Sequence, residues 1–402
     1  MASVAFVFTS PRHHLEMMAP VADELGKRGV ACRLISLAEL RGLDTPKDPR
    51  LRRVLPYNLR GKPAATGVAA TVSTDGPRSW WRGKLAQAVV WQALSLRLRQ
   101  LIAGADVVVV PNDTAYPYDK LLVEVHRRGA RSVLMQEGIR FPPEKGYTGG
   151  WYGTGGATAI CAWGEGSKDY FTACKVAERD IVVTGAPRLD ELDPAAWTRA
   201  GAELLAKHRL GGAPLLYMSN PIETQGFGTK AQKLALFARL LADAAPLLRA
   251  QQVPVVVKNH PHEDPDDYVA VGRASPVADL VTVLPPSAPI FALLAAARAA
   301  IVLTSTVGLE ALAFGLPIGV LEIPGFPFAF EYVQRGAAVP VYAGAVAAGV
   351  AELLAGASER RAAGQALLAR HLHDRGRARH NVADLIEDLI ERLLAGDRRN
   401  IA

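Results

Sequence analysis

The segment 299–323, AAIVLTSTVGLEALAFGLPIGVLEI, constrains the fold more than any other part of the chain. It begins with an apolar run at 300–303 that has the length of a buried strand. A helical pattern follows, which Gly315 ends and Pro317 prevents from continuing. A second apolar strand follows at 318–321. Strand, helix and strand in this order form one unit of a parallel α/β sheet.

The turn between the first strand and the helix predicts a ligand site. Ser305, Thr306 and the free N–H groups up to Gly308 lie where a helix N-terminus attracts anions. Gly308 lets a ligand approach the backbone. Glu310 lies about one helical turn beyond Thr306 and shares its face. A phosphate at the turn and a sugar hydroxyl at the carboxylate would fit this geometry; an ordinary capped helix with an outward Glu is the alternative.

The letters S-T-V-G-L-E-A-L, with the G-x-P turn after them, resemble a known donor-site motif. It belongs to GT-B-fold transferases of bacterial surface polysaccharide synthesis, of the capsule-synthesis and Kdo-transferase group. It is more distantly similar to CDP-glycerol glycerophosphotransferases. G-x-P-R-x-D at 185–190 and K-x-H-P at 258–261 share the resemblance, which covers about 106–341. It implies that the helix N-terminus binds the donor's phosphate and that Glu310 binds its ribose.

Apolar runs alternate with helical patterns along the chain, which predicts an α/β fold of two doubly wound, Rossmann-like domains facing a cleft. The predicted strands are 3–9, 31–36, 106–110, 131–135, 158–163, 180–184, 215–218, 253–258, 280–283, 300–303 and 318–321. The domains are an N-terminal acceptor domain (1–190, with a basic insertion at 40–102), a linker (191–212), a C-terminal nucleotide-donor domain (213–357) and C-terminal helices (358–402). The resemblance implies that the last helix crosses back to the first domain.

Composition narrows the classes of protein. With 402 residues, 50% hydrophobic and 21% charged, the chain is globular and long enough for two domains. Cys32, Cys161 and Cys174 lack the spacing of a metal site and are typical of a reducing compartment. The N-terminus has no signal-peptide features, and no apolar run reaches membrane-spanning length. We expect a cytoplasmic protein. The first β-α-β unit lacks G-x-G-x-x-G, which argues against a classical dinucleotide site.

The basic insertion predicts an anionic partner. Between Arg41 and Arg99 there are twelve Lys and Arg residues and three Asp, an excess larger than the +7 of the whole chain. A helix predicted at 79–102 interleaves apolar and basic residues: Trp80, Trp81 and Trp91 with Arg82, Lys84, Arg97 and Arg99. This pattern favours peripheral docking on an anionic membrane surface. The alternative is that the Trp and Leu side chains pack into a core. No nucleic-acid-binding motif is present, so we predict no nucleic-acid partner.

Polar residues follow the predicted strands of the second domain, at the edge where doubly wound sheets bind ligands. Lys258 and His260 are predicted to neutralise a diphosphate leaving group, as catalytic residues. Ser219 and Asn220 are predicted to contact the donor's phosphates or base. His262 and the acidic residues after it read as a solvated helix start. No D-x-D motif is evident, so we predict no metal, and no cofactor beyond a nucleotide-activated sugar as co-substrate.

The first domain offers candidates for the acceptor side. Glu137 follows the strand at 131–135 and is predicted to be a general base or a nucleophile; a carboxylate that caps a turn is the alternative. The glycerophosphotransferases have His-Gly near this point, whereas this chain has Glu-Gly. Either His13 or His14 is a further candidate acid or base. The predicted acceptor-binding residues are Arg12, His13, Arg140, Tyr147, Trp151 and Tyr152, the last three in a glycine- and aromatic-rich loop at 141–156.

Two residues lie at the exit of the first domain. Arg188 is predicted to reach the donor's phosphate, and Asp190 to cap the helix that follows it. Together these features predict a glycosyltransferase that moves a sugar from a nucleotide-activated donor to a glycan or lipid-linked acceptor. A CDP-glycerol-type polyol-phosphate transferase and a UDP-N-acetylglucosamine 2-epimerase-like isomerase, which needs no acceptor, are the alternatives.

Overall fold

The computed structural model describes residues 1–11, 13–55, 90–92, 94–140, 151–260, 263–356 and 358–396. The chain divides into two compact units. Unit 1 consists of Met1–Glu191 and Arg370–Ala402, and unit 2 of Leu192–Ala369.

Unit 1 is built on a parallel sheet of seven strands. They are β1 (Ser3–Phe8), β2 (Ala31–Ser36), β3 (Leu51–Arg53), β4 (Val107–Val110), β5 (Arg131–Met135), β6 (Ala159–Ala162) and β7 (Ile181–Val183). Their order is β3-β2-β1-β4-β5-β6-β7. The helices between them are α1 (His13–Lys27), α2 (residues 90–92 and 94–102), α3 (Tyr118–Arg127) and α4 (Glu165–Ala173). The strand order reverses between β1 and β4, and such a switch point is where doubly wound sheets bind ligands.

Unit 2 repeats this plan with six parallel strands. They are β8 (Leu215–Met218), β9 (Val255–Lys258), β10 (Val281–Leu284), β11 (Ala299–Val302), β12 (Ile318–Leu321) and β13 (Val339–Val341). Their order, β10-β9-β8-β11-β12-β13, places the switch point between β8 and β11. The helices are α5 (Thr198–Lys207), α6 (Lys230–Asp243), α7 (Ala245–Gln251), α8 (Pro265–Arg273), α9 (Ile290–Ala296), α10 (Val307–Ala313), α11 (Val346–Leu354) and α12 (Arg361–His371).

All eleven predicted strands are present, with ends within two residues of those predicted. Their apolar runs lack alternation because both faces of a parallel sheet are buried under helices. The two strands that the sequence analysis missed, β3 and β13, have three residues each and lie at the edges of their sheets. An edge strand tolerates polar residues and proline, so β3 reads L-R-R and β13 reads V-P-V.

The last helix, α13 (Ala378–Leu394), packs on unit 1, as the fold prediction implied. Val382, Ala383 and Ile386 lie in one buried cluster with residues of β1 and α1. Within the C-terminal helices predicted at 358–402, a break separates α12 from α13. Gly376 lies in this break with φ +93°, a conformation that favours glycine.

Asp190 caps α13 from a distance. Its carboxylate accepts the backbone N–H groups of Gly376 (3.2 Å), Ala378 (2.9 Å) and Arg379 (2.7 Å). The prediction that Asp190 caps the helix following it is wrong. A carboxylate that satisfies orphan N–H groups stabilises a helix start wherever it lies in the sequence, and only the folded chain shows which start it meets.

Candidate functional site

In unit 1, the side chain of Glu137 is the centre of a polar cluster at the carboxyl edge of the sheet. It lies two residues beyond β5, and its Oε2 is 2.9 Å from His14 Nε2. Its Oε1 accepts hydrogen bonds from Arg140 (2.5 Å) and from Asn112 Nδ2 (3.3 Å). Asn112 follows β4 and His14 lies in the first turn after β1, so one carboxylate connects the ends of three neighbouring strands.

The hydrogen bonds of His14 define its tautomer. Nδ1 accepts the backbone N–H groups of Ser10 (3.2 Å) and Thr9 (3.4 Å). A nitrogen that accepts carries no proton, so Nε2–H is the donor to Glu137. The imidazole is buried, and both of its nitrogens are used in fixing the start of α1 against β5.

His13 presents the other imidazole of this edge. Its Nε2 lies 2.8 Å from the backbone oxygen of Glu137, and a carbonyl only accepts, so Nε2 carries the proton and Nδ1 a lone pair. Burial, the charge of Arg188 and the neighbouring His14 lower the pKa of His13 to about 4. His13 is therefore neutral around pH 7.

Glu137 itself is poorly suited to the predicted role of general base. Burial acts to raise the pKa of its carboxyl, but the His14 hydrogen bond and the Arg140 charge outweigh burial and hold that pKa well below its usual range. Both carboxylate oxygens also accept hydrogen bonds from side chains, so Glu137 is placed to hold these groups rather than to take up a proton. The alternative of a turn cap is not seen either, since its carboxylate meets side chains rather than backbone N–H groups.

The two described aromatic residues of the glycine-rich loop, Trp151 and Tyr152, pack against the core of unit 1. The Tyr152 hydroxyl accepts the Glu137 N–H (3.1 Å) and donates to Pro111 O (3.1 Å), and the Arg140 guanidinium lies 4.2 Å from the centre of the Tyr152 ring. Burial and the charge of Glu137 raise the pKa of Tyr152 well above its usual value, so the hydroxyl stays protonated. Trp151 is half-buried against the same core. The Tyr152 side chain is therefore enclosed within unit 1, and its contact with the acceptor stays a prediction.

Asp113 anchors this segment, a role that the sequence analysis missed. Its buried carboxylate accepts the N–H groups of Gly153 (2.8 Å) and Gly155 (2.6 Å). Burial raises the pKa of Asp113, although both glycine hydrogen bonds act in the opposite direction. A Cβ on Gly155 would lie 2.2 Å from Asp113 O, so only glycine fits there.

Arg188, a residue predicted to contact the donor's phosphate, lies in unit 1 beside Glu16. In the structure its Nε lies 3.3 Å from Glu16 Oε2, and its positive charge lowers the pKa of His13. Its donor role stays a prediction. Arg12 and Tyr147 lie outside the described residues.

In unit 2, Asn220 connects the two strand ends at the switch point. Its Nδ2 donates to the Thr304 hydroxyl, and its Oδ1 accepts the Thr304 N–H (3.3 Å). Gln225 Oε1 accepts hydrogen bonds from both the Thr304 hydroxyl (2.5 Å) and Asn220 Nδ2 (3.1 Å). Asn220 is buried, and both ends of its amide are bonded within unit 2.

The first turn of α10 differs from its prediction. Ser305 Oγ accepts the Val307 N–H (3.2 Å), whereas Thr306 forms no side-chain cap. The Gly308 N–H donates to Ser305 O (3.2 Å), so the N–H groups predicted to be free are engaged from 307 onward. Ser305 and Thr306 are half-exposed.

The other two residues of the predicted donor motif are internal. A Cβ on Gly308 would lie 2.7 Å from the ring of Tyr332, so this glycine accommodates Tyr332. The Tyr332 hydroxyl donates to Ser305 O (3.2 Å). Glu310 is only 3% exposed, so the alternative of an outward Glu is wrong.

A buried carboxylate, Glu263, organises the neighbouring strand ends of unit 2. Its Oε1 accepts hydrogen bonds from Ser219 (2.8 Å) and Tyr268 (3.2 Å) and an ion pair from Lys233, while its Oε2 accepts the His260 N–H (3.0 Å). The side chains of Glu263 and Lys233 are 3% and 2% exposed. The interpretation of this acidic stretch as a solvated helix start is wrong at Glu263.

Lys233 is the second residue of this site that the sequence analysis missed. It lies on the buried face of α6 with Phe237 and Leu240, and its Nζ also pairs with Glu223 (2.9 Å). The sequence did contain a signal for its burial: apolar residues lie three, four and seven positions beyond Lys233, on the same face of the helix.

Lys258 and His260 are half-exposed beside this network. Lys258 Nζ donates to Pro286 O (3.3 Å). Their catalytic role stays a prediction, and His262 lies outside the described residues.

The described parts of the chain contain neither a cluster of metal ligands nor a helix that could span a membrane. There, no three His, Cys, Asp or Glu side chains come together as metal ligands. None of the described helices combines the length and the apolarity needed to cross a bilayer.

The sequence matches no protein-family model and no curated protein. Solved structures are similar over nearly the whole chain. The UDP-GlcNAc 2-epimerase from Neisseria meningitidis, bound to UDP-GlcNAc, has a TM-score of 0.62 at 14% identity, covering 96% of this chain and 100% of that one. The calicheamicin glycosyltransferase CalG4 has a TM-score of 0.57 at 16% identity, and the similarity covers 98% of this chain and 99% of that one. A variant of the wall teichoic acid polymerase TagF has a TM-score of 0.58 at 12% identity, and the similarity covers 98% of this chain and 90% of that one.

The fold is GT-B-like. The predicted fold class, two doubly wound Rossmann-like domains with a returning last helix, is therefore confirmed. At these identities the similarity establishes the fold alone.

We expect Lys233→Met to lower the free energy of unfolding by about 3–5 kcal/mol, because it leaves Glu263 buried without its cation. Arg239→Met is the matched control on the same helix, since Arg239 pairs with Asp243 at the surface, where an ion pair contributes about 0–1 kcal/mol. Urea denaturation of both variants measures the difference. Equal midpoints would show that the buried network does not stabilise unit 2.

Proposed function

We propose that the protein is a glycosyltransferase that uses a nucleotide-activated sugar. The carboxyl edge of the unit 2 sheet binds the donor, and the carboxyl edge of the unit 1 sheet binds the glycan or lipid-linked acceptor. The observation that carries the proposal is His13, a neutral imidazole with a fixed tautomer at the unit 1 switch point.

His13 acts as the general base. As the acceptor hydroxyl attacks the anomeric carbon of the sugar, its proton passes to the Nδ1 lone pair of His13. Glu137 supports this step without transferring a proton, because its backbone oxygen holds Nε2–H and its carboxylate holds His14 and Arg140. The stable negative charge of Glu137 also favours the imidazolium that forms during transfer.

The exposed groups of unit 2 serve the donor. Ser305 and Thr306 present hydroxyl groups, and Lys258 with His260 presents positive charge or hydrogen-bond donors where a diphosphate leaves. Ser219 and Asn220 lie behind them in closed hydrogen-bond networks. We assign these two residues a structural role: they connect the end of β8 to its neighbours through Glu263 and Thr304.

Two other reactions are compatible with the same donor edge. Epimerisation of UDP-GlcNAc is favoured by the similarity to the Neisseria meningitidis enzyme over the whole chain. Polyol-phosphate transfer is favoured by the similarity to TagF. Both reactions would use the same nucleotide site as the proposed transferase, but epimerisation requires no acceptor.

A binding and product assay separates these reactions. We expect one nucleotide among CMP, CDP, UDP and GDP to raise the unfolding temperature. At a hundredfold excess over Kd, such a ligand adds about 2.7 kcal/mol to the free energy of unfolding. With the matching nucleotide-sugar alone, a transferase leaves the sugar configuration unchanged. Conversion of UDP-GlcNAc to its 2-epimer would support the isomerase, and consumption of CDP-glycerol the polyol-phosphate transferase. No stabilisation by any nucleotide would contradict all three.

We expect His13→Gln to lower kcat by about 10²–10⁴-fold, because it removes the proton acceptor, while the donor-induced thermal shift is kept. The low pKa of His13 keeps its base form down to about pH 4, so the wild-type rate should fall only as pH drops towards 4. His126→Gln is the matched control, since burial also lowers the pKa of His126, which bonds Ser132 in the same unit. A rate that falls with an apparent pKa near 6.5 would refute His13 as the base.

The surface formed by α2 and α3 supports docking on an anionic membrane, where lipid-linked acceptors reside. Leu96 and Val123 are among the few exposed large apolar side chains of the described residues, at 67% and 49%. Arg99 pairs with Glu124 (3.0 Å) and so connects the two helices. The exposed basic residues of this surface are Arg97, Lys120, Arg127 and Arg128.

Of the predicted interfacial tryptophans, the structure describes Trp91. Trp91 is half-buried against the unit 1 core, which favours the core alternative for this residue. Trp80, Trp81, Arg82 and Lys84 lie outside the described residues.

We expect the protein to sediment with phosphatidylglycerol vesicles at low salt and not with phosphatidylcholine vesicles, because each basic residue near an anionic surface contributes about 1 kcal/mol. Leu96→Glu combined with Arg97→Glu should abolish sedimentation. Leu394→Glu, at an equally exposed leucine of α13, should not. Equal pelleting of all three proteins would place the membrane contact elsewhere.

A further inference from the structure

The side chain of Asn259 is completely buried, yet neither atom of its amide has a hydrogen-bond partner within the described structure. It directly follows β9, between Lys258 and His260. Buried amides in folded proteins are nearly always paired, because leaving them unpaired forfeits the hydrogen bonds they make with water. The buried amide of Asn259 therefore lowers the stability of the fold, and no hydrogen bond within the described structure compensates for it.

The comparison with Asn220 sharpens this point. Asn220 is also buried and also follows a central strand of unit 2, but its amide bonds to Thr304 and Gln225. The fold can thus satisfy a buried amide at this edge. Asn259 is left unpaired at the next strand end, and polar residues that break local consistency in this way are typical of functional sites.

The position of Asn259 points to a ligand. It continues the alternation of Val255 and Val257, whose side chains lie in the core beneath α6 and α8. It is one step beyond that core, at the carboxyl edge where doubly wound sheets bind ligands. Its two chain neighbours, Lys258 and His260, are half-exposed.

We propose that Asn259 is a donor-recognition residue. Its amide offers one donor group and one acceptor group side by side, so it complements an amide-type partner: the imide edge of a pyrimidine base or the acetamido group of an N-acetylated sugar. Since the amide is completely buried in this structure, donor binding has to uncover it. This inference rests on the proposed nucleotide-sugar function.

The test measures unfolding temperatures of wild type and Asn259→Leu without ligand and with UDP, UDP-glucose, UDP-GlcNAc or CDP. Leucine has the same number of side-chain heavy atoms and the same branch point as asparagine, and it removes the unpaired amide. We expect Asn259→Leu to be at least as stable as wild type without ligand, and to bind about 10- to 100-fold more weakly. Loss of the response to every nucleotide assigns the amide to the base; loss of only the extra stabilisation by UDP-GlcNAc over UDP-glucose assigns it to the acetamido group.

The result that overturns the inference is an equal ligand-induced shift in wild type and Asn259→Leu, whatever the stability of the free variant. If wild type responds to no nucleotide, the proposed function fails first, which distinguishes the two failures. Asn220→Leu is the matched control, and it should lose stability without ligand because its amide is bonded internally. Should Asn259→Leu not fold, calorimetric titration of Asn259→Ser with the same four compounds decides.

Discussion

The carboxylate of Glu137 is the interaction on which the edge of unit 1 depends. Parallel strands end side by side at one edge, and each end releases a loop whose polar groups need partners. Glu137 supplies them by bonding His14 after β1, Asn112 after β4 and Arg140 beyond β5. The strand ends at the switch point are therefore connected by side chains as well as by the sheet, and His13 is presented on this connected edge.

Unit 2 solves the same problem with different residues. Glu263 connects the ends of β8 and β9 through Ser219 and His260, and Asn220 connects β8 to β11 through Thr304. The cation for Glu263 comes from α6, as Lys233, rather than from the edge itself. A buried ion pair is seldom a gain in stability over an apolar pair of similar size, but it fixes one arrangement, and here the carboxylate so fixed holds the backbone N–H of His260.

The fold could be predicted because its signals are local. Apolar runs, capping residues and glycine or proline stops marked eleven of the strands, and only β3 and β13, two short edge strands, carried too little pattern. The site was less predictable because its contacts join distant residues: Asp190 caps a helix almost two hundred residues away, and Lys233 neutralises Glu263 from another element. Glu310 and Gly308 were found as a motif, yet the sequence could not show that Tyr332 and the core enclose them.

In the proposed reaction, the edge of unit 1 divides constant charge from proton transfer, with the charge on Glu137 and the proton acceptor on His13. Glu137 is held ionised by His14 and Arg140, so its charge is constant and its geometry fixed. His13, with a pKa of about 4, is neutral and free to accept a proton. If one residue had to hold three strand ends and also accept a proton, each protonation would break the hydrogen bonds that position it. Separating the roles lets the proton move while the strand ends stay in place, which is the condition for a preorganised site.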